Sequence, residues 1–239
     1  MRLLYQTHSP YARKVLVAAY EMGLQDELIV IHHETSPTRR NEAVFALNPL
    51  GKVPVLVCDD GAVLFDSNVI CEYLDRGGRV IPADPQLRFR ALTLQALAQG
   101  IADAGIAARW EAERRPAHLR WPQMHAGQIE KIAAGCDFLE REVAARRDAG
   151  GHAGADTARG AAGGARPSAP DVGGRAAGPH GGAPPPDIGD IALVTALSWI
   201  EFRGVYPFLD GRPHLAAWYR ALCARPSMLA TALEGQTQD

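Results

Sequence analysis

The chain is short of sulfur. Its four cysteines, Cys58, Cys71, Cys136 and Cys223, form no Cys-x-x-Cys pair, and no histidine stands near them at metal-ligand spacing. Neither a zinc site nor a disulfide framework is therefore expected, and the plain reading is four reduced thiols in a cytoplasmic protein. No run of about 18 apolar residues occurs, so no membrane span is expected. The first residues, MRLLYQTHSPYARK, lack the apolar stretch of a secretory signal. A surplus of positive charge is missing too. Net charge is −2 at pH 7 and the basic residues are dispersed, which argues against a nucleic-acid partner.

What is present suits a globular protein. With 239 residues and 47% apolar content, the chain can bury one sizeable core or two smaller ones. Over residues 1–80, strand and helix signals alternate. RLLYQ reads as a strand, and SPYARKVLVAAYEMGL as a helix with Pro10 in its first turn and Gly23 at its stop. Val15, Leu16, Ala19 and Tyr20 recur at helical spacing and are expected to face the core. ELIVIHH is a second strand and TRRNEAVFALN a short irregular helix. KVPVLVCDDGAVLF is a hairpin turning at Asp59-Asp60-Gly61, and DSNVICEYLDR is a third helix. The order is β-α-β-α-β-β-α.

The character then changes. Residues 86–239 read as an all-α domain of four or more helices, with two long helical patterns separated by Pro116 and Pro122 and two more after residue 186. Between these pairs lies a Gly/Ala/Pro/Arg-rich stretch, about 148–186, whose only large aliphatic residue is Val172. So little apolar surface cannot offset the entropy of ordering, and a disordered insert is expected there.

The tetrapeptide SPYA, Ser9 to Ala12, follows the first strand and opens a helix. It has the proline and tyrosine of the redox motif Cys-Pro-Tyr-Cys and neither sulfur. Free backbone amides and the helix dipole favour an anion at such a point, and a serine hydroxyl there can donate to a thiolate. Ser9 also suits a plain N-cap. Downstream stand NPLGKVPVL (Asn48 to Leu56), LFDSNVI (Leu64 to Ile70) and DIGDIAL (Asp187 to Leu193). Together with the domain order, these four motifs resemble the glutathione S-transferase family. The resemblance covers nearly the whole chain outside the Gly/Ala/Pro stretch.

That resemblance implies an α/β thioredoxin-like N-terminal domain that binds glutathione, followed by an all-α domain. It implies that Ser9 activates the glutathione thiol and that Pro54 is cis. The Val53 backbone would then pair with the cysteinyl part of glutathione. Lys52 would meet a carboxylate, and Asp66 with Ser67 would receive the γ-glutamyl end at a helix N-terminus. Asp187 and Asp190 read as a structural capping box. With no cysteine at position 9 or 12, a dithiol or mixed-disulfide route through this motif is not expected. Tyr5 and Thr7 are weaker candidates for the activating hydroxyl, and His8 reads as a loop histidine.

The second substrate is expected in a hydrophobic pocket walled by Tyr11, Ile106, Trp110, Phe202 and Tyr206. These residues also suit a helical core. Asp103 and Arg109 are polar positions on the same helix as Ile106. Arg109 could hold an acidic substrate or pair with Glu113. The implied activity is glutathione transfer to a hydrophobic electrophile, with glutathione as co-substrate, no metal and a homodimer. Glutathione-dependent peroxide or disulfide reduction, or a non-enzymatic interaction role, stands as the alternative.

Overall fold

The computed structural model describes residues 1–156 and 185–235. Four strands form one mixed sheet in the order β2-β1-β3-β4: β1 (Arg2–Tyr5), β2 (Ile29–His32), β3 (Val55–Val57) and β4 (Val63–Leu64). β1 pairs parallel with β2, Leu3 opposite Val30, and antiparallel with β3, Leu3 opposite Leu56. Leu3 and Leu56 are fully buried. A parallel pair needs a crossover, and helix α1 (Pro10–Met22) supplies it. α2 (Glu42–Phe45) is one turn capped by Asn41, and α3 (Ser67–Leu74) follows the hairpin.

α1 starts at a Ser9 N-cap with Pro10 at the first helical position, and Gly23 ends it at φ 74°. Its apolar stripe was expected on one face. Val15 and Ala19 are buried as that stripe requires, whereas Leu16 and Tyr20 are half-buried. Arg13, Lys14, Val17, Ala18 and Met22 are buried as well. The reason is position: α1 packs on both α3 and α6 (Ile188–Phe202) and so has little solvent face.

The second domain is all helix: α4 (Pro85–Arg109), α5 (Pro122–Asp156), α6, α7 (Pro213–Cys223) and α8 (Pro226–Ala230). α8 is a single short turn of helix. α4 ends in a π turn, Trp110–Arg114, and Pro116 and Pro122 separate it from α5. α6 is apolar on every side and almost wholly buried, so it forms the axis of the domain. It can approach α4 closely because residue 189 is glycine, where a Cβ would lie 2.8 Å from the Ala91 carbonyl oxygen. The capping box is present: Asp187 accepts from the Asp190 amide at 3.0 Å, and the Asp190 carboxylate accepts in return from the Asp187 amide. Arg146 of α5 adds a 2.8 Å ion pair to the same Asp190.

The thioredoxin-like domain followed by an all-α domain is thus as the resemblance implied. One boundary differs. α5 runs to Asp156, past residue 148 where the insert was expected to begin. Extending a formed helix adds a hydrogen bond per residue without a new nucleation cost. The rest of that stretch, 157–184, lies outside the described residues. No helix among the described residues is long and apolar enough to cross a membrane.

Candidate functional site

At the N-terminus of α1 the half-buried Ser9 Oγ accepts from the Ala12 amide at 3.2 Å. That bond uses a lone pair and leaves the hydroxyl hydrogen to donate. The cap and the thiol-activating role are therefore compatible uses of one side chain. His8, just before it, is buried and held at φ 66°. Its Nε2 lies 2.6 Å from the Glu234 carbonyl oxygen, so that nitrogen carries the hydrogen and donates. Nδ1 then accepts from Arg203 at 3.2 Å, and the ring packs 4.7 Å from Phe202. Sequence reasoning left His8 as a loop residue; the structure makes it an interdomain contact.

Of the weaker hydroxyl candidates, Thr7 is engaged and Tyr5 is half-buried. The Thr7 hydroxyl lies 2.7 Å from His32 Nε2 on β2. Burial pushes the Tyr5 phenol above its ordinary value, with Arg13 and the His8 backbone partly offsetting it.

A second helix N-terminus stands beside the first. Asp66 caps α3, accepting from the Asn68 amide at 2.9 Å, and its side chain is exposed. Ser67, the first helical residue, is 1% exposed, and its buried Oγ has no hydrogen-bond partner among the described residues. Lys14 reaches this terminus from α1. It is 3% exposed, and its Nζ donates to Asn68 Oδ1 at 2.6 Å. Burial holds the Lys14 ammonium below its usual range, against the weaker opposing pull of Cys71 and Asp66. It makes no ion pair with a described residue. The Val53–Pro54 peptide is cis, as expected. Val53 is buried, while its backbone amide and carbonyl take no partner among the described residues. Lys52 is exposed.

The expected second-substrate residues do not all converge. The Tyr11 hydroxyl donates to Asp103, joining α1 to α4. Burial and then that bond push the Tyr11 phenol well above its ordinary range. Ile106 is half-buried against the core and Trp110 opens the π turn of α4. Arg109 pairs with Glu113 at 3.0 Å. Phe202 does reach the Ser9 loop, through His8. Tyr206 does not: its phenol takes Arg212 Nη2 at 3.3 Å, and Arg212 is in turn paired with Asp137 of α5 at 2.7 Å. The aromatic pattern could not separate these two because both lie near the end of α6. Between Pro10, Tyr11, Lys14, Ala102 and Thr195 a crevice of about 10 Å³ remains, room for about one water.

Sequence reasoning missed Lys14. The one signal was periodic: Lys14, Ala18 and Met22 fall at i, i+4, i+8, so a charge heads an otherwise buried stripe.

Residues 8–76 match the family model described as glutathione S-transferase, N-terminal domain. Over 235 residues the chain is 30% identical to the uncharacterized GST-like protein YibF of Escherichia coli (strain K12), spanning 97% of this chain and 98% of that protein. The chain belongs to the glutathione S-transferase family. Among solved structures, it is 33% identical to a glutathione transferase family member from Pseudomonas fluorescens Pf-5 with bound glutathione. The TM-score is 0.77, with 98% of this chain and 99% of that one covered. A glutathione S-transferase from Methylobacillus flagellatus kt with glutathione bound is 29% identical, with a TM-score of 0.71 over 97% and 98% of the two chains. In this glutathione S-transferase family member, the matched stretch holds Ser9, Lys14, Lys52, Val53, Pro54, Asp66 and Ser67 together. The expected electrophile-pocket residues of α4 and α6 fall outside it.

Proposed function

We propose that this protein binds glutathione on its N-terminal domain and ionises the thiol for attack on a hydrophobic electrophile. One observation carries the reading. At the start of α3 a buried hydroxyl lacks a partner among the described residues, and a buried ammonium with no carboxylate among them is bonded to Asn68, the next residue along. Desolvating either group without compensation is costly. An anion at that helix terminus would satisfy both, and the helix dipole adds to the attraction. The γ-glutamyl carboxylate of glutathione is such an anion, and the exposed Asp66 is available to its amine. The Val53 backbone, without a partner among the described residues, would take the cysteinyl unit as a short antiparallel strand. Lys52 would meet the glycyl carboxylate as a point charge. The sulfur would then lie at the N-terminus of α1.

There Ser9 donates its free hydroxyl hydrogen to the thiolate. A charge-assisted bond contributes roughly 1.5–3 kcal/mol, and lowering a thiol pKa by two units takes about 2.7 kcal/mol. Serine and helix terminus together therefore suffice to keep the thiol largely ionised near neutrality. The thiol proton leaves to solvent. The sulfur lone pair forms the new carbon–sulfur bond as the electrophile expels its leaving group or accepts the pair. Tyr11, Ile106, Trp110 and Phe202 are the residues proposed for the electrophile's side. A cytoplasmic homodimer goes with this reading on family grounds.

Ser9→Ala is expected to lose at least tenfold in kcat for glutathione conjugation to an aryl halide while still binding immobilised glutathione. Full activity in Ser9→Ala would remove the role. Activity confined to hydroperoxide in the parent protein would favour reduction over transfer.

A further inference from the structure

The segment after α7 runs antiparallel to α1 and is bonded to it at three levels. At the C-terminal end of α1, the buried Glu21 pairs with Arg225 at 2.7 Å and accepts from the Ser227 hydroxyl at 2.5 Å. At its first turns, the buried Arg13 donates to the Met228 carbonyl at 3.0 Å, to Thr231 Oγ1 at 3.3 Å and to Ser198 Oγ of α6 at 2.6 Å. Just before the helix, His8 donates to the Glu234 carbonyl at 2.6 Å. Two of these anchors, the Glu21 carboxylate and the Arg13 guanidinium, are buried charges that each make three hydrogen bonds, and such a charge costs most when a partner is lost. The third, His8, is a non-glycine residue in the left-handed region. That conformation is disfavoured for a residue that carries a Cβ and persists where surrounding contacts over-determine it. Here the contacts are the Glu234 carbonyl, Arg203 and the Phe202 ring. The next residue in the chain is Ser9.

We propose that residues 225–234 brace α1, and that His8 is the positioning residue through which this brace sets the Ser9 hydroxyl. Fixing His8 at both ring nitrogens fixes the backbone entering Ser9. That in turn directs the Ser9 lone pair at the Ala12 amide and the hydroxyl hydrogen outward. A shift of about 1 Å in a positioned group can cost a hundredfold in rate. The brace itself stands on geometry alone. The catalytic consequence rests on the glutathione chemistry proposed for Ser9.

His8→Gly separates a backbone role from a side-chain role, because glycine adopts the left-handed conformation freely yet removes every ring contact. Hydrogen exchange of the ligand-free protein is measured by NMR alongside kcat and KM for glutathione with an aryl halide. The expected result is at least tenfold faster exchange at the Ala12 amide and at the amides of residues 227–234. With it, kcat falls about tenfold while KM for glutathione stays within twofold. Wild-type exchange at either place overturns the proposal, as does wild-type kcat where Ser9→Ala is itself impaired. Should Ser9→Ala prove fully active, the glutathione reading of Ser9 fails, and the exchange data still decide the brace. If His8→Gly does not fold, His8→Asn is read in the same way. Asparagine also tolerates the left-handed region, and its side chain is too short to span Arg203 and the Glu234 carbonyl together.

Discussion

Replacing Lys14 by methionine should move stability and ligand affinity in opposite directions. Methionine keeps most of the length and apolar stem of lysine and removes the charge. In the ligand-free protein, the ammonium is 3% exposed and is met by one neutral acceptor, Asn68 Oδ1. Exchanging buried charge for packed apolar volume is often neutral or stabilising by about 1–4 kcal/mol. Loss of the donor to Asn68 takes back about 1 kcal/mol. The melting temperature should therefore hold or rise. A glutathione carboxylate at Ser67 would lose one charged neighbour worth roughly 1.5–3 kcal/mol, so its dissociation constant should rise roughly tenfold to a hundredfold. Linkage gives a further sign. Burial lowers the Lys14 value in the folded state, so at high pH the unfolded chain binds more protons than the native one. The penalty is complete below the folded value and is relieved as pH climbs from there to the unfolded lysine value of about 10.4. Stability of the parent protein should thus gain over that window, and Lys14→Met should lack that gain. Calorimetric titration with glutathione and thermal unfolding across pH 7 to 10.5 measure both arms. A variant that melts many degrees lower and binds glutathione as tightly as the parent would refute the reasoning and leave Lys14 a structural residue.

Ser67→Ala removes a buried hydroxyl that has no hydrogen-bond partner among the described residues. Thermal unfolding should show no loss of stability, whereas titration should show glutathione bound about tenfold more weakly. Gly189→Ala would place a Cβ 2.8 Å from the Ala91 carbonyl oxygen and 2.8 Å from Leu94 Cβ. It should force α6 and α4 apart at a cost of roughly 1–3 kcal/mol by urea denaturation, with the glutathione-binding residues untouched.

The order of elements was legible because its signals are local. Pro10 and Gly23 bound α1, Asp187 and Asp190 cap α6, and the alternation around Asp59-Asp60-Gly61 makes a hairpin. The motif residues Ser9, Val53, Pro54 and Ser67 were legible for the same reason: each sits at a strand or helix terminus whose position local rules give. What escaped was whatever depends on a second surface. Lys14 and Arg13 look solvent-facing when α1 is pictured against one sheet, and become buried once α6 covers the other side. His8 could not be read at all, since its partners Arg203 and Glu234 lie 195 and 226 residues away. Phe202 and Tyr206 are the same kind of residue four positions apart. Only the turn after α6, which aims one at His8 and the other at Arg212, distinguishes them.

The burial of α1 between two domains bears on how such proteins can be recombined. Its first-domain role is to cross over between β1 and β2, yet Arg13 spends its three donor groups on Ser198, Met228 and Thr231 of the other domain. The link continues at Val80, whose carbonyl takes the Ile188 amide at 2.8 Å. A chimera joined near residue 80 would therefore pair a foreign α1 with acceptors built for another side chain. The unit that can be exchanged intact is not the N-terminal domain but that domain together with α6 and the last turns of the chain. Drift at position 13 in a lineage should be answered by drift at 198 and 231, more than 180 residues downstream.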